Sequence, residues 1–123
     1  MPHSALTAFL AAMTGHEPGL SARASLVAVT PFTFDIAALE LFGPLVAGAC
    51  VTLADAATAH DGIALARLLE AADCDVLQGT SATWRLLLDA GWRPGPGFRA
   101  LCGGEALTSA LAGELLKHGA ELW

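Results

Sequence analysis

Short apolar runs alternate with segments of helical periodicity along the whole chain. The apolar runs are typical of buried strands, and they lie at 25–30, 49–54, 75–79, 99–103 and 121–123. In the other segments apolar residues recur at helical spacing, which predicts helices over 4–15, 35–48, 61–72, 80–90 and 108–118. Caps are expected at Ser4, at Thr80 or Ser81, and at Thr108 or Ser109, with stops at Gly15 and Gly48.

This alternation of strands and helices predicts the fold class. Successive strands separated by helices form a parallel or mostly parallel sheet, because each helix carries the chain back across a face of the sheet. We therefore expect an α/β fold with helices packed against the sheet. No repeat, low-complexity tract or long linker divides the sequence.

The chain has few charges for its length. Charged residues make up 15% of its 123 residues, against about 25% in an ordinary globular domain. The last predicted strand reaches only to Trp123. We therefore expect residues 1–123 to be a single partial domain, cut from a larger body that covers part of its surface.

Composition also excludes several classes of function. Six basic residues stand singly against twelve acidic ones, a net charge of −6, so neither nucleic acid nor an anionic membrane is an expected partner. No window approaches the roughly 18 apolar residues of a membrane span. Three widely spaced cysteines predict neither a disulfide framework nor a zinc site. We expect Cys50 and Cys102 to be buried, reduced thiols in a cytoplasmic protein.

Polar residues and glycines follow several predicted strands, at the edge where α/β sheets bind ligands. Asp35 fits either a helix N-cap or the partner of a ligand ammonium group. Gln78 either bonds the neighbouring loop or faces a ligand. Gly103 and Gly104, which precede Glu105, allow either a tight turn or close approach of a ligand to the backbone.

Catalytic relays and metal sites are not predicted. None of the four histidines, which we expect in exposed loops or at helix ends, has a Ser, Cys or carboxylate at the spacing of a relay. Trp84 and Trp92 are expected to bury against the sheet. We assign no catalytic residue and no metal ligand.

Three stretches of the sequence carry a family resemblance. They read FTFDIAALELFGPLVAGACVTLA, DVLQGTSATWRLLLDAGW and RALCGGEAL, and the likeness extends from PHSAL at 2–6 to AELW at 120–123. The chain resembles the adenylation domains of nonribosomal peptide synthetases, members of the adenylate-forming superfamily that includes acyl-CoA synthetases and luciferases. Phe34 and Asp35, with Glu40 and Phe42, are similar to the fourth core motif of that family.

The resemblance implies a fold, a reaction and a set of partners. The fold would be part of the N-terminal core of an adenylate-forming enzyme. In the family, ATP and Mg²⁺ activate an amino acid to an aminoacyl adenylate with release of pyrophosphate. The acyl group then passes to the phosphopantetheine thiol of a peptidyl carrier domain, and a condensation domain belongs to the same synthetase.

The resemblance also implies roles for single residues. The aspartate that matches Asp35 binds the substrate α-ammonium, which acyl-CoA synthetases and luciferases do not need because their substrates lack that group. The other positions that match pocket residues are Ile36, Leu39, Gln78, Leu101 and Gly103. With Asp35 they resemble the pattern of glycine-activating domains, in which long side chains would fill the space of a substrate side chain. Gly104 and Glu105 match the segment that lies against the adenine of ATP.

Some motifs of the family are missing from these residues. They include the Ser/Thr/Gly-rich phosphate loop, the YGPTE-like motif with its magnesium-associated glutamate, and the C-terminal subdomain with its catalytic lysine. We therefore expect no measurable adenylation by this chain alone. Two alternatives stay open: a fragment similar to an acyl-CoA ligase, and an α/β binding module without catalytic activity.

Overall fold

The five predicted strands all form, and they pair in one parallel sheet. The computed structural model describes residues 2–16 and 19–123. The strands are β1 (Ser25–Ala28), β2 (Cys50–Leu53), β3 (Val76–Gly79), β4 (Arg99–Cys102) and β5 (Glu121–Leu122), in the spatial order β2-β1-β3-β4-β5. Each neighbouring pair is parallel, which confirms the predicted α/β class.

Helices carry the chain between these strands. They are α1 (His3–Gly15), α2 (Ala37–Ala47), α3 (Ala56–Ala59), α4 (Gly62–Ala71), α5 (Ser81–Asp89) and α6 (Ser109–Lys117). The glycine stops are confirmed, since α1 ends at Gly15 and Gly48 takes a left-handed conformation with φ 74° after α2. Of the paired alternatives for caps, Thr80 accepts a hydrogen bond from the Thr83 N–H and Thr108 from the Leu111 N–H.

Two layers of core side chains cover the two faces of the sheet, because successive residues of a strand point to opposite sides. Val27, Leu77 and Ala100 pack in one cluster with Leu65, Leu69, Trp84, Leu87, Leu111 and Leu115. Leu26, Ala28, Val76 and Leu101 pack in a second cluster with Leu20 and Leu39. The helices α4, α5 and α6 therefore cover one face, and α2 covers the other.

Two local predictions were wrong, and one short helix was missed. α1 begins at His3 after Pro2, so Ser4 lies inside the helix and does not cap it. The turn after β2 contains a short helix, α3, that the sequence analysis did not predict; its cap is Asp55, whose carboxylate accepts the Thr58 N–H at 2.7 Å. Cys50 is exposed because it lies on β2, an edge strand of the sheet.

The other predictions about cysteines and tryptophans can be compared with the structure directly. Cys102 and Cys74 are only half-buried, and burial raises the pKa of the Cys74 thiol to about 11. Trp84 and Trp92 are both buried, as expected, with their ring centroids 6.4 Å apart. No helix in the described ranges, 2–16 and 19–123, is long and apolar enough to cross a membrane.

The packing of α4 on α5 generates a stability prediction. A Cβ on Gly62 would overlap the carbonyl oxygen of Leu86 and lie 3.0 Å from the Cβ of Ala90. Because a backbone carbonyl cannot move without shifting α5, we expect Gly62→Ala to lower the free energy of unfolding by about 1–3 kcal/mol. Urea denaturation followed by tryptophan fluorescence measures this change.

Gly113→Ala is the matched control. Gly113 lies inside α6, and a Cβ there would meet no atom within 4 Å. The free energy of unfolding should rise by about 0.5–1 kcal/mol, because alanine favours the helix over glycine. Equal effects of the two substitutions would contradict the close approach of α4 to α5.

Candidate functional site

A cavity opens at the carboxyl ends of β1 and β3. Its volume is about 680 Å³. The loop after β1 supplies one wall, including Thr30, Phe34 and Asp35, while the end of β3 and the first turns of α5 supply another. Gly104, which follows β4, completes the lining on that side. The cavity therefore lies where parallel α/β sheets bind ligands.

Asp35 stands in the wall of this cavity as an exposed residue. Its interpretation as a helix N-cap is wrong, because α2 begins at Ala37 after Ile36 and no side chain caps it. The backbone around Asp35 is held by short-range bonds: Phe34 N–H donates to the Pro31 carbonyl at 3.0 Å and Ala38 N–H to the Asp35 carbonyl at 3.0 Å. Asp35 is thus carried on a hydrogen-bonded turn in the wall of a volume that a ligand can occupy.

Ile36, Gln78 and Gly103 meet at one place beside the cavity. A Cβ on Gly103 would lie 2.9 Å from Nε2 of Gln78 and 2.9 Å from Cδ1 of Ile36. Gln78 is only 5% exposed, although it also lines the cavity together with Ile36. A methyl group at position 103 would fit only if the ends of the Gln78 and Ile36 side chains moved, so the three residues fill this part of the site.

Leu39 and Leu101 lie behind that closed part. Both belong to the core cluster between the sheet and α2, and they are 3% and 5% exposed. They do not line the open cavity. The sequence analysis grouped them with Ile36, Gln78 and Gly103 because they match pocket positions of the resembled family, and the structure places Leu39 on α2 and Leu101 on β4 as a layer behind that part of the site.

Gly104 and Glu105 differ in what they offer a ligand. Gly104 lines the cavity with φ 84°, a conformation that favours glycine, and a Cβ at this position would lie 3.4 Å from the methyl group of Thr80. Glu105 is exposed and lies outside the lining; its Oε1 accepts the Ala82 N–H at 3.3 Å. The glycine therefore presents bare backbone to the cavity, and the glutamate fastens the following turn to α5.

The sequence analysis gave Glu40 no role of its own. This residue is 0% exposed, and its Oε2 accepts the N–H groups of Val29 at 2.7 Å and Thr30 at 3.0 Å. Its Oε1 also accepts a short hydrogen bond from the Thr30 hydroxyl. Burial raises the pKa of the Glu40 carboxyl, and the bonds from Thr30 and Val29 counteract part of that rise. A signal was present, since Glu40 is the only charged residue within α2.

His60 is a second cavity residue to which the sequence analysis gave no role. It is exposed, as predicted, and it lines the cavity opposite the β3 side, where Nδ1 lies 2.7 Å from the Ala56 carbonyl oxygen. The signal was its place after β2, whose carboxyl end lies at the same sheet edge. No group of His, Cys, Asp or Glu residues in the described part of the chain is arranged to hold a metal ion.

The comparison with known families identifies the chain. The profile of the family described as "AMP-binding enzyme" matches residues 1–122. The chain belongs to the AMP-binding enzymes.

Relatives within the AMP-binding enzymes confirm the resemblance to nonribosomal peptide synthetases. A dimodular nonribosomal peptide synthase of Bacillus subtilis (strain 168) is 42% identical over 90 residues, which are 73% of this chain and 4% of that protein. The PKS-NRPS hybrid synthetase acdB of Aspergillus candidus is 32% identical over 115 residues, 93% of this chain and 5% of that protein. The chain thus spans a small part of the length of these relatives.

A solved structure confirms the fold of this AMP-binding segment. It is a four-domain nonribosomal peptide synthetase bound to AMP and glycine, 40% identical, with a TM-score of 0.92. The similarity covers 100% of this chain and 9% of the solved one. The α/β segment described here is therefore the kind of substructure found inside adenylation domains.

The crowded contact at Gly103 generates a prediction that does not depend on function. Gly103→Ala should lower the free energy of unfolding by about 0.5–1.5 kcal/mol, because the new methyl group meets the ends of the Gln78 and Ile36 side chains at 2.9 Å and forces them away from their preferred rotamers. Ile36→Val removes the Cδ1 atom and should recover part of that loss in the double variant. Urea denaturation of the four proteins gives the coupling energy, and strictly additive losses would contradict the contact.

Proposed function

We propose that residues 1–123 are the central part of a nonribosomal peptide synthetase adenylation domain that selects glycine. The domain would activate glycine with ATP and Mg²⁺ to glycyl adenylate and load it onto a phosphopantetheine thiol. The observation that carries the proposal is Asp35, an exposed carboxylate in the wall of a cavity that Ile36, Gln78 and Gly103 close on one side.

Asp35 would bind the α-ammonium group of the amino acid. An ammonium group and a carboxylate form a charge-assisted hydrogen bond, and such a bond contributes about 1.5–3 kcal/mol to the free energy of binding. The position supports this role, because the carboxylate belongs to the cavity wall and does not cap α2. Substrates without an amino group gain nothing from this contact, so it favours amino acids over fatty or aryl acids.

The selection of glycine would come from filled space. Ile36 and Gln78 stand where a larger substrate side chain would have to go, and Leu39 and Leu101 pack behind them in the core. Buried side chains with packed neighbours resist displacement, so a larger amino acid would meet a steric penalty. The 40% identical synthetase whose structure contains AMP and glycine supports this choice of substrate.

The nucleotide would lie against the turn that follows β4. Gly104 has no side chain, and its backbone is open to the cavity, so a flat adenine ring could approach it closely. Glu105 would hold that turn in place through its bond to the Ala82 N–H. We assign the triphosphate and Mg²⁺ to segments that the family places before and after these residues.

The partners would be further domains of one synthetase. A peptidyl carrier domain would receive the glycyl group on its phosphopantetheine, and a condensation domain would use it. The relatives support this arrangement, because each of them is many times longer than the segment it shares with this chain.

Asp35→Asn tests the proposal in a complete adenylation domain that contains residues 1–123. Glycine-dependent ATP–pyrophosphate exchange is the measurement. We expect kcat/KM for glycine to fall about 10- to 150-fold, because the amide keeps the shape of the side chain and removes the charge that pairs with the ammonium group.

Asp73→Asn is the matched control. Asp73 is exposed and precedes β3, so it lies at the amino ends of the strands, away from the cavity. Asparagine tolerates its φ of 49° as well. It should leave the exchange unchanged. Full activity of Asp35→Asn would refute the ammonium contact, a clear preference for a bulky amino acid would refute glycine, and exchange that depends on a fatty acid would favour the acyl-CoA-ligase alternative.

A further inference from the structure

Glu40 is buried where a charged residue is costly. It lies in the first turn of α2, on the side that packs against the sheet, and it is 0% exposed. Glutamate is almost never fully buried unless its oxygens are paired, because a lone carboxylate loses its hydration. The Glu40 oxygens therefore need hydrogen-bond donors close by.

The partners of Glu40 all belong to the chain that leaves β1. The ladder of β1 ends at Ala28, so the N–H groups of Val29 and Thr30 have no neighbouring strand to bond. Both donate to Oε2 of Glu40, and the Thr30 hydroxyl donates to Oε1. The carboxylate thus supplies the hydrogen-bond acceptors that a neighbouring strand provides elsewhere along β1.

The same two residues begin the wall of the cavity. Val29, Thr30 and Pro31 line it, and Asp35 follows on the same loop. The far end of this loop enters α2, through the bond from the Ala37 N–H to the Phe34 carbonyl at 3.1 Å. Both ends of the loop are therefore attached to the first turn of one helix, at its start by Glu40 and at its end by the backbone.

We propose that Glu40 is a positioning residue for the substrate site: by tying the end of β1 to α2, it fixes the loop on which Asp35 stands. This inference rests on the proposed function, because it assigns to Asp35 the contact with the amino acid. It adds a residue that touches no substrate and acts through the loop. Without the Glu40 carboxylate, the N–H groups of Val29 and Thr30 lose their acceptor, and the loop that carries Asp35 can move.

Two substitutions in the complete adenylation domain separate positioning from other roles. Glu40→Leu fills similar space and removes every acceptor, so kcat/KM for glycine should fall on the order of 10- to 100-fold, as small misplacements of binding groups do. The loss should lie mainly in KM for glycine, with KM for ATP changed less than about twofold, because the proposed adenine contact belongs to the turn after β4. Glu40→Gln should stay within about threefold of the wild type, since its carbonyl oxygen can accept both N–H groups and its amide can donate to Thr30.

A double variant gives the decisive measurement. If Glu40 acts through Asp35, then Glu40→Leu should cost less than about threefold when added to Asp35→Asn, because the contact it positions is already lost. The full 10- to 100-fold loss in that background would overturn the proposal. So would a loss in Glu40→Gln as large as that in Glu40→Leu, or equal changes in KM for glycine and for ATP.

Two further measurements keep the inference testable if a variant folds poorly or the enzyme activates no amino acid. Thr30→Val removes one of the three bonds and keeps the branched shape of the side chain, so it should lower kcat/KM for glycine in the same direction by a smaller factor; no change would count against the proposal. Hydrogen exchange needs no activity. In Glu40→Leu the amide hydrogens of residues 29–36 should exchange at least about tenfold faster, while the exchange rates of β4 stay unchanged. Unaltered exchange over residues 29–36 would show that Glu40 does not hold this loop and would overturn the proposal. A wild-type domain inactive with every amino acid would refute the proposed function alone.

Discussion

Parallel pairing of the strands is the constraint on which the site depends. All carboxyl ends meet at one edge, so loops that are far apart in the sequence become the walls of a single cavity. The same pairing sets which side chains face α2, because alternate residues share a face: Val76 and Gln78 on β3, and Leu101 and then Gly103 at the end of β4. The apolar members of this face form core, Gln78 reaches the cavity, and Gly103 lies beside it.

Two carboxylates five positions apart have opposite surroundings. Asp35 is exposed and does not cap α2, whereas Glu40 is buried and accepts hydrogen bonds from three donors. A bond network of this kind is more valuable for fixing geometry than for adding stability, because the cost of burying the charge offsets much of what the bonds contribute. The buried group therefore suits a role in holding the loop, and the exposed group suits a role in meeting a ligand.

Much of this structure could be predicted from the sequence, and the exceptions have physical causes. Periodicity located all five strands because each is a short apolar run between polar turns. It could not show that Ser4 is passed over as a cap, since Pro2 already starts the helix, or that Cys50 would sit on an exposed edge, since strand order is a tertiary property. Asp35, Gln78 and Gly104 were expected at a ligand site because they lie at or after the carboxyl ends of strands, and all three line the cavity. The burial of Glu40 was not predicted, because it depends on where the hydrogen-bond ladder of β1 ends.

The contact among Gly103, Ile36 and Gln78 restricts how this segment can change during evolution. A side chain at position 103 would have to displace the ends of both neighbouring side chains, so its cost depends on which residues stand at positions 36 and 78. Gly104, with its left-handed backbone, is closed to most replacements from the outset. Shortening the side chain at position 36 or 78 before position 103 is filled is therefore the less strained order of changes, because the new methyl group then meets fewer atoms.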